Sequence, residues 1–360
     1  MNRIIIFFIG LLLLCTSRMG AQTIYYTADQ FPLIGKTSQE TETRYERLPA
    51  YLKDICRPPV WNLGKNTSGL AVRFRSNSTS ISAKWEASGN NQMNHMTETG
   101  IKGLDLYTWI GDHWQPVKAA LPSGKKNEQT IISNMIPSER EYLLYLPLYD
   151  GIVSLEIGID SAAYIQNPRL PYPKTDHPVF VYGTSITQGG CASRPGMSYT
   201  NILERKLNRE VINLGFSGNG QLDYEIAELM ASRNDASVFV LDFIPNVNAQ
   251  QIRDKTARFF AILREKNPQT PILFVESVLF THMPYDKTMR ETVLEKNRLL
   301  KEEYQKIKKR GDKNVYYLES SSLIGTDGES TVDGTHLTDL GFSRFAVVLE
   351  DKLTEIVFKK

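Results

Sequence analysis

The stretch Val179-Phe180-Val181-Tyr182-Gly183-Thr184-Ser185-Ile186-Thr187 decides how the C-terminal half of the chain reads. Four apolar residues in succession fit a strand buried on both faces, and the glycine-flanked turn after them sets a serine at its carboxyl end. Short apolar runs recur at 211–214, 238–243, 272–275 and 315–318, and helix-like segments lie at 199–207, 224–232, 250–265, 288–309 and 340–358. This alternation predicts a parallel sheet covered by helices on both sides, a flavodoxin-like three-layer α/β/α domain. Ligands of such sheets collect outside the carboxyl ends of the strands, where Ser185 stands.

Upstream the period changes. Between about 60 and 160, short segments alternate apolar and polar residues and are separated by Gly, Asn, Ser and Asp clusters such as Ala87-Ser88-Gly89-Asn90-Asn91. That pattern predicts an antiparallel β-sandwich, jelly-roll-like, with the tryptophans in its core. The polar stretch before it, 22–56, reads as an entry segment wrapping the surface. Pro168, Pro171 and Pro173 mark an extended linker. The expected organisation is therefore a signal peptide at 1–21, a β-sandwich at 22–165, a proline-rich linker at 166–177 and the α/β domain at 178–360.

Composition bounds the function. With 41% hydrophobic and 23% charged residues the 360-residue chain is globular, and its net charge of +2 offers no field for nucleic acid. Arg3 followed by the apolar run 4–14 and small residues up to Ala21 reads as an export signal. That run is too short for an integral membrane span. Lipidation at Cys15 is disfavoured by Leu14, so a periplasmic or secreted protein is expected. Cleavage would remove Arg3 and Arg18 and no acidic residue, which balances the remaining charges. Cys56 and Cys191 would survive, either bridged or as two unrelated thiols.

A serine is unreactive at its own pKa and needs a base. His336 offers one in Asp333-Gly334-Thr335-His336, where Asp333 is close enough to hold the second imidazole nitrogen. With Ser185 these residues resemble the SGNH, or GDSL-like, hydrolase family. Gly183-Thr184-Ser185 is similar to its first block, with Thr184 where aspartate is usual, and Asp333-Gly334-Thr335-His336 to its last. Asn213-Leu214-Gly215-Phe216-Ser217-Gly218 resembles the second. The third block departs, reading Leu241-Asp242-Phe243-Ile244-Pro245-Asn246. The resemblance implies a Ser185-His336-Asp333 triad and an oxyanion hole from Ser185, Gly218 and Asn246, with Asn248 or a helix-capping role for Asn246 as alternatives. Gly103-Leu104-Asp105-Leu106-Tyr107 resembles the G-x-D-L-Y motif of a β-domain that precedes some exported SGNH hydrolases.

The implied activity is that of a serine esterase removing acetyl or other small acyl groups from carbohydrates, so the partner is an acylated carbohydrate or other small ester. A lipase or thioesterase, or an inactive glycan-binding envelope protein, are the competing readings. No cofactor is needed, and the histidines read as too scattered for a metal site. His95, Gln188, Arg194 and Glu276 are candidate substrate-binding residues. The charge run 291–310 reads as a solvated helix face.

Overall fold

The computed structural model describes residues 22–358. The expected signal peptide and Cys15 lie outside the described residues.

A five-stranded parallel sheet organises the C-terminal half, in the order Arg209–Gly215, Lys174–Gly183, Val238–Asp242, Ile272–Val275 and Val315–Leu318. Successive side chains of a strand point to opposite faces. Phe180 and Tyr182 accordingly join one apolar layer, while Val179 and Val181 join the other. Helices Tyr224–Ala231 and Ala249–Lys266 cover the first layer; Tyr199–Leu207 and Asp339–Ile356 cover the second. Chain order reverses beside Lys174–Gly183, where the connections to its two neighbours leave on opposite sides. The crevice outside that strand's end is the binding position of such folds, and the turn carrying Ser185 occupies it.

The N-terminal half is a sandwich of two antiparallel sheets. One pairs Thr23–Thr27, Ile152–Asp160, Ile81–Ala87 and Lys126–Ile132. The other runs Ile165–Gln166, Ala71–Ser76, Arg140–Tyr145, Leu104–Ile110 and His113–Ala120, with Leu33–Ile34 also paired to Ala71–Ser76. The edge strand His113–Ala120 contains Pro116, which lacks an N–H for a second ladder. Such a residue fits an edge and masks the strand in the sequence.

The segment 22–56 does not wrap the surface as the sequence suggested. Leu48, Leu52 and Cys56 are buried in the apolar layer of the α/β half, as is Trp61, which therefore lies outside the sandwich core. Arg47, only 1% exposed, anchors this stretch by donating to the carbonyls of Leu63, Asn66, Asn213 and Gly215 at 2.7–3.0 Å. Burial pushes its pKa down to about 9. An unpaired guanidinium in an apolar layer is tolerable only because its N–H groups are met by these oxygens.

The strand Leu104–Ile110 joins the two halves. Leu104 and Leu106 point into the sandwich core, and the alternate residues Asp105 and Tyr107 point to the α/β half. Arg194 donates to the Asp105 carboxylate at 2.6 Å and to the Tyr107 hydroxyl at 2.5 Å, and the Gly196 N–H reaches Asp105 at 2.9 Å. Arg205 lies over the Tyr107 ring at 4.1 Å. Tyr145, on the neighbouring strand, donates to Glu204 at 2.8 Å.

Candidate active site

Gly183 ends its strand where a Cβ would lie 2.0 Å from Thr187 Oγ1 and 2.6 Å from the Asp242 carbonyl, so only glycine lets the turn close. Thr184 then caps the short helix Ser185–Gln188: its Oγ1 accepts from the Ile186 N–H, and Thr187 Oγ1 accepts from the Thr184 N–H. A threonine thus does the capping an aspartate could do at that place. Beneath, Thr187 and Tyr199 both donate at 2.9 Å to the buried Asp242, whose carboxyl burial pushes up to about 7 against those bonds.

Ser185 Oγ is 3.0 Å from His336 Nε2, and His336 Nδ1 is 2.8 Å from Asp333 Oδ2. Asp333 Oδ1 accepts from the His336 and Thr335 N–H groups at 2.7 and 3.0 Å, so the loop folds around its own carboxylate. Partial burial works to raise the Asp333 pKa. The bonds from the His336 ring and the two N–H groups, with the charge of His336, outweigh it and hold the carboxyl at about 2. Asp333 therefore stays ionised wherever His336 can act as a base. His282, to which the sequence assigned no role, contacts the Gly334 carbonyl through Nδ1 at 3.1 Å and braces this loop.

Ser185, Gly218, Asn246 and His336 line one cavity of about 470 Å³, walled by Ile186, Phe280, Met289 and Val293. Size alone does not single it out, since a hollow beside Tyr172 and Phe358 measures about 510 Å³; the juxtaposed serine and imidazole do. Gly218 holds φ +68° with open space where a Cβ would point. Asn246 sits on the 3₁₀ turn Ile244–Asn246, and its Oδ1 accepts from Gly220 N–H at 3.2 Å. That bond commits the oxygen and leaves Nδ2 without a hydrogen bond among the described residues. Asn248, not Asn246, caps the helix Ala249–Lys266.

The other expected binding residues divide. His95, on a loop of the β-sandwich half, brings its ring to 5.4 Å from that of His336, centroid to centroid. Gln188 is fully buried, donating to the Leu148 carbonyl and accepting from Ser217 N–H, so it braces the turn. Arg194 is engaged by Asp105 and Tyr107. Glu276 accepts from the Tyr317 hydroxyl and from Ser320. None of the three borders the cavity.

Two features escaped the sequence. The charged helix Lys287–Lys309 is not solvated all round: Met289, Thr292, Val293 and Lys296 face the cavity. Burial brings the Lys296 ammonium down to about 8, and it donates to the Pro245 carbonyl. The histidines are also less scattered than their spacing suggested, because His95, Cys191 and His336 each place a ligand atom within 4.8 Å of the others. Cys56 and Cys191 are both free thiols, in apolar layers on opposite faces of the sheet. Among the described residues no helix is long and apolar enough to cross a membrane.

A family model described as GDSL-like lipase/acylhydrolase matches residues 176–354, and the GxDLY model, described as the N-terminus of SGNH-hydrolase-type esterases, matches residues 23–165. A crystal structure from Bacteroides ovatus described as a GDSL-like lipase is 38% identical, covering 93% of this chain and 98% of its own, with a TM-score of 0.89. The salicylyl-acyltransferase SsfX3 of a tetracycline biosynthetic pathway is 19% identical over 93% and 97%, with a TM-score of 0.75. An acetyl xylan esterase from the rumen bacterium Butyrivibrio proteoclasticus is 14% identical over 92% and 98%, with a TM-score of 0.55. The last two share the fold. No curated protein matches the chain.

Proposed function

Since the chain belongs to the GDSL-like lipase/acylhydrolase family and is a carboxylic ester hydrolase, we propose that it is an exported serine esterase that removes acetyl or other small acyl groups from carbohydrates. The observation that carries this reading is the relay from Ser185 Oγ to His336 Nε2 at 3.0 Å and from His336 Nδ1 to Asp333 at 2.8 Å, opening on one cavity. His336 takes the serine proton as Oγ attacks the ester carbonyl, and Asp333 stabilises the imidazolium that forms. The N–H groups of Ser185 and Gly218 and the Nδ2 of Asn246 receive the developing oxyanion. His336 then returns the proton to the departing sugar oxygen, and water attacks the acyl-serine by the same route. The carbohydrate assignment is supported by fold likeness to carbohydrate esterases, among them the acetyl xylan esterase.

The wall of Ile186, Phe280, Met289 and Val293 favours a second reading, in which the acyl group is larger than acetyl. One experiment addresses both. Hydrolysis of p-nitrophenyl acetate, acetylated xylan and longer acyl esters is compared for the wild type and Ser185→Ala. The variant is expected to lose at least about 1000-fold in kcat; equal rates would end the serine-esterase reading, and a strong preference for long acyl chains would replace acetyl by lipid-type esters.

A further inference from the structure

We propose that His95, Cys191 and His336 form an inhibitory zinc site that switches the esterase off by occupying its general base. One ligand atom from each lies within 4.8 Å of the others. Ligand atoms around a tetrahedral zinc stand roughly 3.3–3.8 Å apart, given bonds of about 2.0–2.3 Å. Closure therefore needs a shift of about an ångström, which the partly exposed His95 loop can supply. Each imidazole already has the support that metal-bound histidines use: His95 Nδ1 faces Asn94 Oδ1 at 3.0 Å, and His336 Nδ1 faces Asp333 at 2.8 Å. That leaves His95 Nε2 to coordinate, while His336 Nε2 exchanges the Ser185 hydroxyl it meets at 3.0 Å for the ion. Cys191 is held in a left-handed backbone conformation at φ 74°, unusual for a residue with a side chain, and its buried thiol has no disulfide partner.

Two imidazoles and one thiolate suit zinc, and three protein ligands leave a fourth position for water. On binding, the thiol releases its proton to solvent and the sulfur donates its lone pair to the ion; no electron is exchanged. The inhibition rests on the reading of His336 as the base, because a lone pair bound to zinc cannot accept the Ser185 proton. The metal site itself does not depend on that reading.

The test separates the two. Full-length Ser185→Ala, titrated with Co²⁺, is expected to develop a thiolate-to-cobalt charge-transfer band at one ion per chain, displaced by Zn²⁺ and lost when Cys191→Ser is added. In the active protein, Zn²⁺ is expected to suppress p-nitrophenyl acetate hydrolysis, with recovery in EDTA. Cys191→Ser and His95→Gln, each measured against its own metal-free rate, should each raise the half-inhibiting Zn²⁺ concentration at least tenfold. No thiolate band, or half-inhibition unmoved in both variants, overturns the proposal. A band on a protein without esterase activity would leave the zinc site standing and sink the serine-esterase reading instead.

Discussion

Two aspartates each face a basic side chain at similar distance in this molecule and do opposite work. In the cleft, Asp333 meets His336 at 2.8 Å, three residues away, with 35% of its side chain exposed. At the seam between the halves, Asp105 meets Arg194 at 2.6 Å from 89 residues away, with 1% exposed. The first carboxyl is held down at about 2 by bonds within its own loop. The second is pushed up by burial against the pull of Arg194 and Gly196. A short loop can keep a charge ready for chemistry in contact with water. A buried pair from distant segments stabilises only the assembled form, and leaves an uncompensated charge if one partner is lost.

The largest expected effect tests the cleft. Asp333→Asn keeps the shape of the loop but loses the acceptor that orients and charges the imidazole, so kcat should fall on the order of 10³- to 10⁴-fold. The thermal midpoint should stay within a few degrees, because the residue lies in a solvated loop. Activity within tenfold of wild type would break the contrast, since Asp333 would then be structural like Asp105.

At the seam the signs of the two readouts reverse. Asp105→Ala strands Arg194, and about 3 kcal/mol of stability should be lost, the low end for a broken buried pair because Arg194 is partly exposed. Urea unfolding measures it, alongside kcat normalised to the folded fraction, which should change far less than in Asp333→Asn. Unchanged stability would mean that the strand Leu104–Ile110 does not tie the halves together through this contact.

The same contrast explains what could be read from the sequence. All five parallel strands were visible because burial on both faces makes them continuous apolar runs. The edge strand with Pro116 and the two-residue strands were not, because their pairing is a tertiary fact. Ser185, Asp333 and His336 were legible because each lies on a strand-end loop with local chemistry to mark it. Gln188 and Arg194 were placed by proximity to Ser185 in sequence and Glu276 by its position at a strand end, neither of which says where a side chain points: Gln188 turns inward to Leu148 and Ser217, and Glu276 turns to Tyr317 and Ser320. Lys296 was hidden in a charged helix of which one face meets the cavity. The Gly103–Tyr107 motif was legible as a resemblance but not as a mechanism, since the partners of Asp105 and Tyr107 lie far along the chain.

The smallest effect sharpens the comparison through pH. Glu204, fully buried beside the Tyr145 hydroxyl, is pushed up to about 8 by burial, against bonds from Val211 N–H and Tyr145. Between its ordinary value of 4.5 and about 8, the folded protein holds a proton that the unfolded chain has released. Stability therefore falls as pH rises through that window, by at most about 1.4 kcal/mol per pH unit for one group, and levels off above it. Asp333 has the opposite sign: its contribution is present above its unfolded value of 3.8 and is lost as pH falls through about 2. Glu204→Gln removes this one titration and leaves those of Asp105 and Asp333. Urea unfolding at intervals from pH 5 to 8 should show a shallower decline in the variant, with a residual slope from Glu210 and Asp242, both pushed up to about 7 by burial. Identical slopes would mean that Glu204 is ionised throughout and paired across the seam, as Asp333 is paired in the cleft.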